Sequence, residues 1–303
     1  MDRLHEMTVF QAVADTGGFS AAARQLALST PAVTRAIASL EERLGARLLH
    51  RTTRQVSLTE AGERFVGDCR RLLAEIAEAE QAAAGLHGQP RGQLVVTASV
   101  LFGRLHVAPV LFEFLARHPE VTVRTLFVDR VVNLLDEGVD LAVRIGDLPD
   151  SNLRAVRVGH VRRVMCAAPT YLARRGVPRT LADLSAHDGI AFSGIGSPND
   201  WRFEIDGQVQ SVPMSPQLIT HSVEVALDAA IAGLGVVRLL SYQADAAVRD
   251  GRLAIVLPDT EPPPLPVHVL HHEGSRVSAK VRAGFDALVA ALRRNPALTE
   301  VAA

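Results

Sequence analysis

The chain has 303 residues, more than one hydrophobic core usually organises, which predicts at least two domains. Hydrophobic residues make up 48% and charged residues 21% of it, a balance that excludes bulk disorder, and no apolar run approaches the roughly 20 residues of a membrane-spanning helix. The net charge is −1, so a surface that binds nucleic acid would have to be local.

Two helices joined by a tight turn are predicted near the N-terminus. Ser20 is a candidate N-cap for a helix over 21–26, and Ser29 or Thr30 for the next helix. That second helix carries apolar residues at helical spacing, which predicts one buried face: Val33, Ile37, Leu40 and Leu44. Its other face is small and polar with one guanidinium, as a major groove admits, and an ordinary solvated face is the alternative: Pro31, Thr34, Arg35 and Ala38.

A cluster of positive charge follows this helix. Residues 43–59 contain five basic side chains and no acid: Arg43, Arg47, His50, Arg51 and Arg54. Residues 52–58 combine threonines with Val56 and Leu58, which favours a small β-turn. Arginines on an exposed loop suit phosphate oxygens or a minor groove. We therefore predict a wing beside the two helices.

The stretch 10–63, from FQAVADTGGFSAAARQLALSTPAV to LTEAGE, closely resembles the winged helix-turn-helix of LysR-type transcriptional regulators. The resemblance implies a DNA-binding domain over 1–58, in which the start of the second helix and the wing contact DNA. Carried over residue by residue, the implied contacts are Thr30, Pro31, Thr34, Arg35, Arg51 and Arg54.

A long helix is predicted from Thr59, its candidate N-cap, and we assign 59–87 as a linker helix. Apolar residues recur along it at alternating spacings of four and three, an uninterrupted heptad seam: Phe65, Cys69, Leu72, Ile76, Ala79, Ala83 and Leu86. Such a seam favours a homodimer, and packing on the helix's own domain is the alternative. A dimer would read an interrupted palindrome in double-stranded DNA.

After Gly88-Gln89-Pro90-Arg91-Gly92 the composition changes to alternating strands and helices, which predicts an α/β domain over 88–303 with largely parallel, doubly covered sheets. The segments Glu137–Gly146, Cys166–Leu172 and Gly251-Arg252-Leu253 resemble the effector domain of the same family. That resemblance implies two lobes with a periplasmic-binding-protein-like architecture, lobe I over 91–161 and 267–303 and lobe II over 162–266.

Ligands in open α/β sheets bind where strands end, often against helix N-termini. We predict an effector site, suited to a small organic anion, from residues at such positions: Ser99, Phe102, Arg144, Gly146, Ser193, His221, Ser222 and Arg238. For each serine a plain N-cap is the alternative. In the resembling family the crevice between the lobes binds small-molecule inducers.

An enzyme is not favoured, because no nucleophile elbow, zinc-protease motif, P-loop or dinucleotide fingerprint is present. The nearest metal candidate is the cluster His268, His271, His272 and Glu273. If 267–272 is a strand, alternation separates His271 from the other two histidines, so an edge strand is the better interpretation and no cofactor is expected.

The start of the chain lacks a secretion signal, and Cys69 and Cys166 lie in no Cys-x-x-Cys pair, so we expect a cytoplasmic protein. The sequence thus predicts an effector-controlled transcriptional regulator, active as a dimer or tetramer with RNA polymerase as a partner. A solute-binding protein without regulatory output is the alternative.

Overall fold

The computed structural model describes residues 2–51, 56–83, 89–148, 153–192, 200–205, 208–272 and 277–299. The chain forms two compact units, one of Met1–Pro90, Val131–Asp140 and Ser278–Lys280 and the other of Arg91–Arg130, Leu141–Val277 and Val281–Ala303. Each unit has its own hydrophobic core. Within the described ranges, no helix is both long and apolar enough to cross a lipid bilayer.

Four helices and a two-stranded hairpin build the first unit: α1 (Arg3–Thr16), α2 (Phe19–Gln25), α3 (Thr30–Leu44), β1 (Leu49–Arg51), β2 (Val56–Leu58) and α4 (Glu60–Ala83). The N-cap of α3 is Ser29, whose hydroxyl accepts a hydrogen bond from the amide of Ala32 at 3.3 Å. Thr59 caps α4 in the same way, through the amide of Gly62 at 3.0 Å. Both cap predictions are confirmed.

The predicted N-cap at Ser20 is wrong. Helix α2 begins at Phe19, so Ser20 lies inside the helix, and Gly18 occupies the N-cap position without a side-chain cap. Phe19 packs against the core of the first unit, and Ala22 and Ala23 behind it are buried. The tertiary contact of the aromatic ring therefore fixes the start of α2, overriding the local capping preference of the serine.

The buried stripe of α3 is confirmed at Val33, Ile37 and Leu40, all of which are fully buried. Leu44 departs from the prediction, since 39% of its surface is exposed. It lies in the last turn before Gly45, which ends the helix in a left-handed conformation with φ +65°. The apolar stripe of α3 is therefore buried as far as Leu40 and becomes exposed in the last turn of the helix.

In chain order the second part of the chain comprises β3 (Gly92–Ala98), α5 (Val100–Phe102), α6 (Ala108–Arg117), β4 (Val121–Phe127), β5 (Leu141–Ile145), β6 (Leu153–Val161), β7 (Arg163–Ala167), α7 (Pro169–Arg175), β8 (Asp188–Phe192), β9 (Asp200–Ile205), β10 (Gln208–Pro213), β11 (Ser215–Thr220), α8 (Val223–Ile231), β12 (Val236–Leu240), α9 (Ser241–Arg249), β13 (Ala254–Val256), β14 (Leu265–His272), α10 (Ala279–Leu292) and α11 (Pro296–Thr299). A π-helical turn, Gly103–Val107, joins α5 to α6. Gly103 is required there, because a Cβ would lie 2.5 Å from the ring of Phe127.

The strands form two five-stranded sheets, one in the order β4-β3-β5-β14-β6 and the other in the order β11-β8-β12-β7-β13. Strand β3 is parallel to β4 and β5, and β8 is parallel to β11 and β12, in agreement with the parallel pairing predicted for the α/β domain. The remaining pairings are antiparallel. The sheets are mixed because the chain leaves the first sheet along β6, enters the second along β7 and returns along β14, so the crossing strands run against their neighbours.

Candidate functional site

The exposed face of α3 carries the side chains expected to contact DNA. Thr30, Pro31, Thr34 and Arg35 are all exposed, whereas the opposite face of the helix is fully buried. The hydroxyl of Thr34 donates to the carbonyl of Thr30 at 3.0 Å and keeps its lone pairs free to accept. The helix thus presents a small polar surface with one guanidinium near its N-terminus, where an α-helix enters a major groove.

The arginines around this face fall into two groups. Arg24, Arg35 and Arg47 are exposed and form no ion pair with a described residue. Arg43 instead binds the carboxylate of Glu6, with Nη2 at 2.8 Å and Nε at 3.2 Å from Oε2. Arg43 therefore neutralises a buried acid, and the positive charge available to DNA is smaller than the sequence cluster suggests.

Glu6 is buried, and burial by itself raises the pKa of a carboxyl group. Hydrogen bonds from Ser39, at 2.6 Å to Oε1, and from Arg43 outweigh that effect and hold the pKa of Glu6 below its ordinary value. The ionised carboxylate consequently ties α1 to α3 and fixes the orientation of the exposed α3 face.

A second buried acid, Glu41, positions the wing. Its Oε1 accepts hydrogen bonds from the amides of Leu48 and Leu49 at 2.9 and 3.2 Å. The hairpin that follows pairs β1 with β2 in antiparallel register, which confirms the predicted wing as a β-hairpin. Arg51 is the last residue of β1, and Arg54 lies outside the described residues.

The linker seam divides between two environments. Cys69 is fully buried and Phe65 packs on Phe10 with ring centroids 5.7 Å apart, both within the core of the first unit. These two residues therefore cover the helix's own domain, contrary to the prediction that they face a partner. Leu72 is 37% exposed and Ile76 partly exposed. No side-chain environment is described for Ala79 and Ala83, and Leu86 lies outside the described residues.

In the second unit, Ser99 stands at the N-cap position of α5, but its side chain makes no capping hydrogen bond. Burial raises the pKa of Tyr242, and hydrogen bonds from Ser99 and Gln243 oppose that rise. Phe102 is buried and meets the Tyr242 ring edge-on at 5.1 Å. Ser99 thus lies near Tyr242, and Phe102 packs against the same ring from the core.

The residues predicted at the end of β5 lie beside the returning strand. Arg144 is partly buried and pairs in register with His268 of β14. Gly146 adopts φ +111°, which favours glycine, and its amide donates to the carbonyl of Pro266 at 2.8 Å. Gly146 therefore ends β5 by turning the chain, and its amide is already satisfied.

The residues predicted around α8 have different roles. Ser222 is a plain N-cap, since its hydroxyl accepts from the amide of Val225 at 3.3 Å. His221 before it is exposed, and Ser193 lies outside the described residues. An exposed ion pair between Arg104 and Glu224 at 3.0 Å joins the π-helical turn after α5 to the first turn of α8. The α5 segment, which follows the first sheet's β3, therefore lies near the N-terminus of α8, which follows the second sheet's β11.

Arg238 of β12 is the predicted effector residue with the most distinctive surroundings. Its guanidinium carbon lies 4.8 Å from the ring centroid of Phe203 and 5.6 Å from that of Trp201. Burial, with a smaller contribution from Arg163, lowers the pKa of Arg238 to about 10. A cation thus sits half-buried against two aromatic rings.

Trp201 and Phe203 belong to the β9–β10 hairpin, which the sequence interpretation did not assign to the site. Asp206-Gly207 stands between two runs in which apolar residues alternate, and such a dipeptide is a strong hairpin indicator. That pattern is the signal that predicts this hairpin from sequence.

A cavity of ≈ 490 Å³ lies where the chain crosses between the two sheets, within the range typical of ligand pockets. None of the predicted effector residues lines it. Its polar groups are largely paired: Arg162 with Glu261 at 3.1 Å, and Arg249 with Asp245 at 2.5 Å. Tyr242 borders both this cavity and Ser99.

The histidines considered as metal ligands lie in β14, which confirms the predicted strand. The interpretation of it as an edge strand is wrong, because β14 lies between β5 and β6 in its sheet and pairs with both. His271 is buried and packs edge-on against Phe285, with ring centroids 4.9 Å apart. His268 and His272 alternate to the other face of the strand. Burial lowers the pKa of both.

A winged helix-turn-helix followed by a two-lobed α/β domain defines a class of ligand-controlled DNA-binding proteins, and comparison with known proteins identifies the family. Residues 4–63 match the family model described as "Bacterial regulatory helix-turn-helix protein, lysR family", and residues 87–293 match that of the "LysR substrate binding domain". The chain therefore belongs to the LysR family of transcriptional regulators, which bind DNA and small-molecule effectors and form oligomers.

Relatives match over nearly the full chain. The HTH-type transcriptional regulator CrgA of Neisseria meningitidis is 34% identical over 96% of this chain and 97% of its own length. The crystal structure of CrgA covers 95% of this chain and 98% of its own, with a TM-score of 0.60. An HTH-type transcriptional repressor of Pseudomonas aeruginosa is 34% identical over 98% of this chain and 94% of its own length.

Proposed function

We propose that two copies of the chain bind an interrupted palindrome in promoter DNA through α3 and the wing. DNA contacts come from Thr30, Pro31, Thr34, Arg35, Arg51 and Arg54. A small organic anion that enters the crevice between the lobes alters transcription by RNA polymerase in the cytoplasm, and the chain catalyses no reaction of its own. The proposed bounds are 1–58 for the DNA-binding domain, 59–87 for the linker and 88–303 for the effector domain.

The observation that carries this proposal is the contrast between the two faces of α3. The buried face and the Glu6–Arg43 ion pair fix the helix in its domain, while Arg35 extends from the exposed face without an acidic partner among the described residues. A free guanidinium at this position can donate two hydrogen bonds to a guanine edge.

The test is a mobility-shift titration of Arg35→Ala on the promoter region next to the gene, at fixed salt. Loss of one bidentate base contact should weaken binding by about 1–3 kcal/mol and relax sequence preference at one position of each half-site. Arg117→Ala is the matched control, because it removes an equal charge from an exposed helix of the effector domain. Unchanged affinity and selectivity in Arg35→Ala would remove this residue from the interface.

For the effector, Ser99 is favoured over Ser222 as a ligand contact. Ser222 caps α8 with its hydroxyl, whereas the Ser99 hydroxyl makes no capping hydrogen bond to α5. A ligand can alter the output only if it binds one arrangement of the lobes or subunits better than another. Solute capture without regulatory output, the rival function, predicts that ligand leaves DNA binding unaltered.

A further inference from the structure

Arg238 is distinguished by its lack of neutralisation. Among the described residues its guanidinium has ring contacts only, and it forms no hydrogen bond or ion pair there. Two other partly buried arginines have an acidic partner: Arg162 pairs with Glu261 at 3.1 Å, and Arg70 pairs with Asp15. A half-buried charge without a partner is unfavourable, so its retention needs an explanation.

The local field makes this cation still less favourable. In the register of the sheet Arg238 stands opposite Met165, and Arg163 lies two residues before Met165 on the same face of β7. The two arginines are therefore diagonal neighbours, and each disfavours the charge of the other. Strand β12 carries no acid that could compensate them.

The rings of Trp201 and Phe203 stabilise the cation through their faces but accept no N–H hydrogen bond in the guanidinium plane. Both rings are buried, so they hold the guanidinium in one orientation. The guanidinium edge is a flat fork of N–H donors that matches the two oxygens of a carboxylate.

We propose that Arg238, held by Trp201 and Phe203 and reinforced by Arg163, is an anion site in lobe II that binds the carboxylate head of a small organic acid. This inference rests on the proposed function, because it assigns the charge-selecting residue of the effector site. The carboxylate supplies the missing counter-charge, and the fork selects it over a neutral head of equal shape.

Trp201 is the only tryptophan in the chain, so its fluorescence reports this site directly. The experiment titrates the full chain, without DNA, with hexanoate and with hexanamide, which differ in charge but hardly in shape. Hexanoate should change the emission saturably, with an apparent Kd about tenfold or more below that of hexanamide. Equal responses to the two compounds would overturn the proposal, and a response to inorganic phosphate without one to hexanoate would overturn the carboxylate assignment.

Three variants locate the effect. Arg238→Gln should abolish the preference for hexanoate, and Arg238→Lys should weaken it, since the charge remains but the fork is lost. Arg202→Gln should keep the preference, because Arg202 lies between the two aromatic residues on the exposed face of β9. A preference that survives in Arg238→Gln contradicts the assignment.

Thermal unfolding separates ligand binding from a structural role. Arg238→Gln removes a charge without a counter-ion together with its contacts to the two rings, so its Tm without ligand should stay close to that of the wild-type chain, and hexanoate should raise the Tm of the wild type only. A marked loss of Tm in Arg238→Gln would make Arg238 structural and overturn the proposal. Normal promoter binding by a chain that shows no hexanoate effect would overturn the anion site alone and leave the proposed regulatory function standing.

Discussion

At the scale of single residues, the DNA-binding domain depends on the ion pair between Glu6 and Arg43. Arg43 is 35% exposed at its side chain, whereas that of Glu6 is 2% exposed, so the pair lies at the edge of the core. Removing Arg43 leaves a buried carboxylate with Ser39 as its remaining side-chain hydrogen-bond donor among the described residues. The charge of Arg43 therefore stabilises the fold, although Arg43 belongs to the basic cluster of residues 43–59, which was predicted to face DNA.

We predict that Arg43→Met destabilises the domain by about 2 kcal/mol, because one partner of a largely buried pair is lost while part of the site stays solvated. Denaturant unfolding of the chain measures this. Arg24→Met, which removes an exposed arginine without an ion pair, is the control and should change stability little. Equal effects of the two substitutions would show that the Glu6 contact contributes nothing specific.

The Glu6 pair also predicts a pH dependence. Its pKa is lower in the folded chain than in the unfolded one, so the folded state favours the ionised form. The resulting stability is present above the ordinary carboxyl pKa and is lost as the pH falls through the lowered value. The free energy of unfolding of Glu6→Gln should be lower than that of the wild type at neutral pH. It should also fall less than that of the wild type on acidification. Parallel curves for the two proteins would exclude this contribution.

Residue chemistry could be predicted from sequence where it is local. The caps at Ser29, Thr59 and Ser222 follow from residue type and position alone. The pairing of Arg43 with Glu6 could not, since the two residues are 37 positions apart and meet only when α1 packs on α3. The surroundings of Arg238 likewise depend on a hairpin distant in sequence.

At the scale of elements, α4 belongs to two structures at once. Its first turns complete the core of the DNA-binding domain through Phe65 and Cys69, and burial raises the pKa of the Cys69 thiol to about 12, which makes the thiol a poor nucleophile. The exposed apolar stripe begins at Leu72. The heptad pattern alone could not show this division, because a core-facing stripe and a dimer seam share the same spacing near one end.

We predict that Ile76→Asp converts the dimer into monomers, since a carboxylate in the seam would be buried without a partner. Sedimentation velocity measures the mass. Arg64→Asp places the same acid at an exposed position of α4 outside the seam, and should leave the assembly unchanged. A dimeric Ile76→Asp protein would show that the linker is not the dimer contact.

The strands show which features of a sheet can be predicted from sequence and which cannot. Composition and the alternation of strands and helices predicted largely parallel sheets, and β3, β4, β5 and β12 do lie next to parallel neighbours. That alternation predicted too much parallel character, because the direction of β6, β7 and β14 is set by where the chain crosses between sheets and not by their side chains.

At the scale of the whole molecule, regulation requires that a ligand-dependent change in the lobes reaches the DNA-binding domain. Ser99 stands between a helix start and Tyr242, and Tyr242 borders the cavity where the chain crosses between the sheets. An effector that binds at Ser99 and shifts Tyr242 would favour a different arrangement of the crossing strands.

We predict that Ser99→Ala loses the transcriptional response to effector but keeps its affinity for promoter DNA. The measurement is reporter transcription from the neighbouring promoter over a panel of organic acids, together with a mobility shift. Ser185→Ala, at an exposed position of the second unit, is the control and should respond normally. A normal response from Ser99→Ala would remove Ser99 from the effector site.

Lys280 forms an ion pair with Asp140 at 3.3 Å. It is the sole lysine of the chain, so every positive side chain of residues 1–63 other than histidine is an arginine. Nε-acetylation, which silences many DNA-binding surfaces by neutralising lysine, has no acceptor on the face formed by α3 and the wing. Guanidinium groups also stay protonated across the physiological pH range. On the interface that we propose, lysine acetylation therefore has no site at which it could release promoter DNA.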